Sequence, residues 1–180
     1  MLTAKDKAIV MGLSLGDGYI DPRGQFQVTH CEKQKEYAEY KAKLLHSVCG
    51  GKDIIVHEKI IDTKGKLTYR KKPYIRRFYK MYTIKKQNKY FKEIREILYP
   101  NGKKEFSMRV LQILDLRSIM LWYLDDGCLS SVYSKGKPDG WLCKLFTYTT
   151  KAQTQIIADY FESTYNIKWN VVKAAGASND

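Results

Sequence analysis

Two aspartates, Asp17 and Asp126, occupy matching places in two short apolar stretches and lie 109 positions apart. The first stretch is Val10-Met11-Gly12-Leu13-Ser14-Leu15-Gly16-Asp17-Gly18. The second is Ile119-Met120-Leu121-Trp122-Tyr123-Leu124-Asp125-Asp126-Gly127. Each apolar run suits a buried helix, and Gly18 and Gly127 suit the left-handed residue that commonly ends one. An acid at that place is odd. A helix C-terminus already carries partial negative charge, so an aspartate there is disfavoured by about 0.3–1 kcal/mol. A bound cation reverses the sign of that effect. Hard divalent ions take carboxylate oxygens, and paired metals can stabilise the attacking and leaving oxygens of a phosphodiester displacement.

With these nine-residue stretches the chain resembles the LAGLIDADG homing endonucleases, in the branch that carries both signature helices on one polypeptide. The resemblance reaches from about residue 8 to the end of the sequence. It implies that the eighth position of each motif, Asp17 and Asp126, is a catalytic acid that ligates metal, with Mg²⁺ as cofactor and Mn²⁺ as a substitute. The sixth position, often acidic in the family, is Leu15 in one copy and Leu124 in the other. The family also places a lysine beside the active centre ahead of the second motif. Lys104 is the better match and Lys103 a close second. Such a lysine could position the attacking water or stabilise charge developing on phosphate.

The whole-chain composition agrees with a polyanionic partner. Thirty-two Lys and Arg stand against nineteen Asp and Glu, a net charge of +13 in 180 residues, which points to nucleic acid before acidic membrane. No apolar run approaches the roughly 20 residues that span a bilayer, and the charged start Met1–Lys7 does not read as a signal peptide. Cys31, Cys49, Cys128 and Cys143 lack Cys-x-x-Cys spacing and read as reduced structural thiols. A cytoplasmic, nucleoid-associated protein is expected, or one of an organelle matrix if organelle-encoded.

The elements that must position the acids follow from the pattern. Thr3 with Asp6 resembles a capping box that starts the first helix near Ala4. Gly12 and Gly16, four apart, clear one face of it, and the implied partner is the second motif helix at 116–126. Tyr19-Ile20, the turn Asp21-Pro22-Arg23-Gly24 and the return from Gln25 to Glu32 form a hairpin. In it Phe26 and Val28 face one way, while Gln25, Gln27 and Thr29 face the other, where they could read base edges. Solvent-facing strands contain the same residues. A helix over 33–48 follows, with Tyr37, Tyr40, Ala42, Leu44, Leu45 and Val48 as its apolar positions.

Residues 54–61 and about 74–84 read as a second hairpin. From Lys64 to Lys92 there are twelve Lys or Arg and no acid. That run includes Arg70, Lys72, Arg76, Arg77 and Lys80, which phosphate contacts would explain. His30, His46 and His57 show no metal-ligand spacing and are given no catalytic role. A helix at 88–98 closes this part.

The second copy repeats the order: a strand over 127–134, a turn at 135–140, a return over 141–149 that includes Lys144, and a helix at 151–165. That helix matches the one beginning at Lys33, and Trp169 to Lys173 matches the strand near Lys52. Nothing then corresponds to the strand at 74–84, the helix at 88–98 or Lys104, so the second half is incomplete by the standard of the first.

The expected fold is α+β, with residues 1–110 and 111–180 as two pseudo-symmetric LAGLIDADG halves whose antiparallel sheets form a DNA-binding saddle. The expected function is site-specific, Mg²⁺-dependent double-strand cleavage of a long asymmetric DNA target by a monomer, serving intron or intein homing. The rivals are an RNA-binding intron maturase and a DNA-binding relative that does not cut.

Overall fold

The computed structural model describes residues 2–51, 54–62, 75–83 and 88–172. Helix α1 (Ala4–Leu15) starts where the sequence predicts. Thr3 accepts the Asp6 amide, and the Asp6 carboxylate accepts the Thr3 amide. From Ala8 to Leu15 every residue of α1 is buried, so the helix is enclosed on all sides rather than amphipathic. Its partner α5 (Leu116–Asp126) is capped by Asp115 and Ser118 in the same reciprocal manner.

Strand β1 (Tyr19–Ile20) turns at Asp21–Gly24 into β2 (Phe26–Cys31). The Asp21 carboxylate holds that turn by accepting the amides of Arg23 and Gln25 at 2.9 and 2.8 Å. Gly24 takes a φ of 85°, which glycine adopts without a Cβ penalty. A 3₁₀ turn (Glu32–Gln34) leads to α2 (Lys35–Val48). Strands β3 (Ile54–Asp62) and β4 (Ile75–Thr83) complete a four-stranded antiparallel sheet in the order β1-β2-β4-β3. Helix α2 lies against β2, β3 and β4. Helix α3 (Asn88–Leu98) sends Phe91, Ile94 and Leu98 into the same core as α1.

A short helix that the sequence pattern does not announce, α4 (Met108–Leu111), precedes α5. After α5, strands β5 (Gly127–Ser134) and β6 (Lys137–Leu145) pair as a two-stranded ribbon, and α6 (Lys151–Tyr165) follows. The mixture of helices and antiparallel strands is the expected α+β class.

Several sequence expectations need correction. Gly18 and Gly127 do not take left-handed backbone; Gly127 has φ −88° and ψ 157°. Both are glycines because of crowding: a Cβ on Gly18 would meet the Leu13 carbonyl and Phe26, and one on Gly127 would meet the Tyr123 carbonyl and ring. The turn between β5 and β6 is only Lys135-Gly136, both at positive φ, the two-residue geometry that matches strand twist. Strand β6 therefore begins at Lys137 rather than Trp141. Trp169–Val172 forms no strand; the Trp169 ring packs on Phe161 at 5.6 Å, which draws that segment onto α6 instead. On α2 the buried positions are Ala38, Lys41, Leu44, Leu45 and Val48, whereas Tyr40 is exposed.

Candidate active site

The two motif helices meet where the first carries Gly12 and Gly16. A Cβ on Gly12 would collide with the backbone of Ser118 on α5, and one on Gly16 would collide with the Asp125 carboxylate. This close approach brings the ends of α1 and α5 side by side. Beyond Leu15 the chain turns so that the Gly18 amide donates to the Leu13 carbonyl at 2.9 Å. The Leu15 and Gly16 carbonyls are left for another donor. That donor is Lys104, whose Nζ lies 3.0 Å from each of them. Helix α5 ends on Asp126, whose carbonyl accepts the Phe146 amide at 3.0 Å and so ties the end of the ribbon to the motif.

Asp17, Asp126 and Lys104 open onto one cavity of about 360 Å³, walled by Phe106 and by Thr147–Thr149. The cavity makes ionisation of the acids costly. Burial lifts the Asp126 carboxyl to about 6, the charge of Asp17 adds to the rise, and Lys104 partly offsets it. Asp17 is raised as well, by burial first and by Asp125 next, against the pull of Lys41, His30 and Lys104. Burial in turn lowers Lys104, while the three nearby aspartates hold its proton against that effect. Two carboxylates that resist ionising together, facing open space, form a hard-oxygen donor set that suits a divalent cation such as Mg²⁺.

A second layer lies behind Asp17. Its amide donates to Asp125 Oδ2 at 3.0 Å. Both Asp125 oxygens accept from Lys41 Nζ, at 2.6 and 2.8 Å, and the two side chains are fully buried. The Tyr37 ring lies under Lys41, 4.4 Å from Nζ to centroid, and the Tyr37 hydroxyl donates to the Leu121 carbonyl at 3.3 Å. His30 is also buried here, with Nδ1 3.8 Å from Asp17 Oδ2 and 3.4 Å from Gln34 Oε1. One ligand atom each from Asp17, His30 and Asp125 lie within 4.8 Å of one another. Lys41 already neutralises Asp125 within that set.

Sequence reasoning gives no catalytic role to Asp125, Lys41 or His30. Asp125 adjoins Asp126 at the seventh motif position and passes for part of an ordinary Asp-Asp-Gly ending. The signal for Lys41 was present: it follows Tyr37 by one turn and precedes Leu44, Leu45 and Val48 at helical spacing, which puts a lysine on a buried stripe. His30 alternates in phase with Phe26 and Val28 and so belongs to the inner face of β2.

Gln25, just before β2, and Gln27, on its outer face, are half-buried, and Thr29 on that face is exposed. Lys80 pairs in register with Thr29 on one side and His57 on the other, while Arg76 pairs with Ile61 and Arg77 with Ile60. Arg76 and Lys80 are thus in phase along β4 and Arg77 is out of phase with both. Lys144 is exposed and pairs with Cys128 in the ribbon. Arg70 and Lys72 lie outside the described residues.

The model of a family described as the LAGLIDADG DNA endonuclease family matches residues 7–178. The chain belongs to that family. No curated protein is similar enough in sequence to match it. Among solved structures, one described as the homing endonuclease I-WcaI bound to its DNA recognition sequence is similar, with a TM-score of 0.70 and 17% identity over 97% of this chain and 74% of that one. At that identity the likeness speaks for the shared LAGLIDADG fold. Family membership makes the protein a relative of DNA-cleaving hydrolases.

Proposed function

We propose that this protein is a site-specific endonuclease that makes double-strand breaks in duplex DNA at a long asymmetric target, with Mg²⁺ as cofactor and Mn²⁺ as a substitute, in the service of intron or intein homing. The observation that carries this reading is the opening of Asp17, Asp126 and Lys104 onto one cavity at the end of the paired motif helices. The family, the net charge of +13 and the DNA-bound state of the similar I-WcaI structure all support it.

Asp17 and Asp126 would hold the divalent ion. When bound, it supplies positive charge at the scissile phosphate and makes water a better nucleophile at neutral pH. Lys104 is held in the lining of the cavity by two carbonyls and can stabilise charge that develops on phosphate. Because the two acids come from different halves, one composite centre serves both strands. Both motif helices belong to one chain, so a monomer suffices.

Gln25, Gln27 and Thr29 would read base edges, while Arg70, Lys72, Arg76, Arg77, Lys80 and Lys144 would neutralise phosphates. Among the described residues the sheets of the two halves differ in size, which suits an asymmetric target. A supercoiled-plasmid library incubated with Mg²⁺ tests the reading. Linear product from the wild type and none from Asp17→Asn or Asp126→Asn is expected. Full cleavage by either variant would falsify the catalytic assignment.

One observation favours a second reading, a relative that binds DNA without cutting it. Among the described residues the second half offers a two-stranded ribbon where the first has four strands. In that case retention of a defined sequence from the library, with no linear product at any Mg²⁺ concentration, is the outcome.

A further inference from the structure

The buried pair Lys41–Asp125 is more than a satisfied charge. Asp125 belongs to the second motif helix, whereas Lys41 and Asp17 belong to the first half, on α2 and just beyond α1. Its carboxylate uses the space that Gly16 leaves open, receives Lys41 from the core and accepts the Asp17 amide. The two motifs differ at this very position. The seventh residue is glycine in the first copy and aspartate in the second, so the contact is one-sided. The helix position that matches Lys41 in the second copy is Asp159, which is exposed and accepts from Gln155.

We propose that Lys41 and Asp125 are positioning residues for Asp17: the ammonium fixes the Asp125 carboxylate, and the carboxylate fixes the turn from which the Asp17 side chain reaches the cavity. Asp17 is then set only when the two halves are docked, because the group that holds its amide comes across the junction. Among the described residues Asp126 has no matching support across the junction and is aimed from its own helix, where Trp122 lies one turn back. Lys41 also acts as an internal cation that keeps Asp125 out of the metal's donor set, since its ammonium contacts both oxygens. This inference rests on the proposed function in taking Asp17 as a metal ligand, and the comparison of Mn²⁺ affinities tests the positioning apart from cleavage.

The test compares two double variants that both remove the buried charges. Lys41→Met with Asp125→Asn keeps an oxygen that can accept the Asp17 amide; Lys41→Met with Asp125→Leu has none. Each is measured in the full chain for melting temperature, for Mn²⁺ affinity without DNA from the free-ion paramagnetic resonance signal, and for DNA retention. The expected result is that both fold and retain DNA, that the Asn double binds Mn²⁺ within about threefold of wild type, and that the Leu double binds it about tenfold more weakly. Lys41→Met alone should resemble neither, since it leaves Asp125 charged and unpaired. Equal Mn²⁺ affinity in the two doubles overturns the positioning role and leaves a merely structural pair, as does absence of Mn²⁺ binding in all forms including wild type. Cleavage is a separate arm. A wild type that binds Mn²⁺ and shows the Asn–Leu difference, yet cuts no library plasmid, counts against the proposed function and not against the positioning.

Discussion

Lys104 Nζ sits 3.0 Å from the Gly16 carbonyl, on the chain segment that leads into Asp17. The contact gives Lys104 two duties. It supplies a cation to the negative end of α1, and it faces both motif acids from inside their cavity. Lys104→Met should therefore remove stability and activity together but in unequal measure. The stability loss should be about 1 kcal/mol, as for a charge at a helix terminus. The loss in cleavage rate should be about 10²–10³-fold, the scale seen when a charge-stabilising donor is removed. Chemical denaturation and single-turnover cleavage measure the two. A Lys104→Met variant that melts lower but cuts at the wild-type rate would reduce the lysine to a helix cap.

The acids predict a pH dependence. Asp126 is lifted to about 6 from its ordinary 3.8. Between those values the native state holds a proton that the unfolded chain has released. Its contribution to stability is thus fully present below about 3.8 and is lost as pH rises through about 6. Without divalent ions, the melting temperature of the wild type should fall over that window relative to Asp126→Asn, which lacks the titration. Added Mg²⁺ should offset that loss above pH 6 by binding the ionised pair. A melting curve of the same pH profile in both proteins would show that the cavity does not raise this carboxyl.

How far the sequence reveals this site depends on whether each residue acts through its own type or through a partner. Asp17 and Asp126 stand out because each ends an apolar run where an acid is unfavourable, and Gly12 and Gly16 because glycine is costly inside a helix. The strands of the first hairpin are legible from the alternation of Phe26, Val28 and His30 with Gln25, Gln27 and Thr29. Asp125 is not legible on its own, and Lys41 is legible only as a lysine on a buried helical stripe. Neither names its partner: the two meet at 2.6 Å in space, and 84 residues separate them in sequence. The crowding that requires glycine at 18 and 127 is likewise set by Leu13, Phe26 and Tyr123 in space, so a local rule about helix ends assigns it the wrong cause.

Binding should follow counterion release. If the outer face of the first sheet and the ribbon contact duplex phosphates, log affinity should fall linearly with log salt, with a slope of about −0.9 per phosphate neutralised. Lys80→Glu, which acts beside Thr29 in register, and Lys144→Glu should each weaken binding to all sequences and flatten that slope. Gln27→Ala should instead change which sequences are retained, with little effect on the slope. Fluorescence anisotropy across a salt series distinguishes the two behaviours. A slope unchanged by both lysine reversals would move the DNA surface elsewhere.

The two motif glycines should fail differently when given a methyl group, because different things stand over them. At Gly12 the obstacle is the backbone of Ser118, which cannot move without separating α1 from α5. Alanine there gains about 1 kcal/mol of helix propensity but meets an overpacking cost of about 1–3 kcal/mol. Gly12→Ala should be neutral to destabilising, and Gly12→Val should cost clearly more. At Gly16 the obstacle is the Asp125 side chain, held in place by Lys41. The residue lies beyond the end of α1, so alanine gains little propensity. Displacing the carboxylate would break its bond to the Asp17 amide. Gly16→Ala should accordingly lower the cleavage rate more than Gly12→Ala does at equal loss of melting temperature, and it should raise the Mg²⁺ concentration needed for half-maximal rate. A Gly16→Ala protein with wild-type Mg²⁺ dependence would mean that Asp125 can yield to a methyl group without disturbing Asp17.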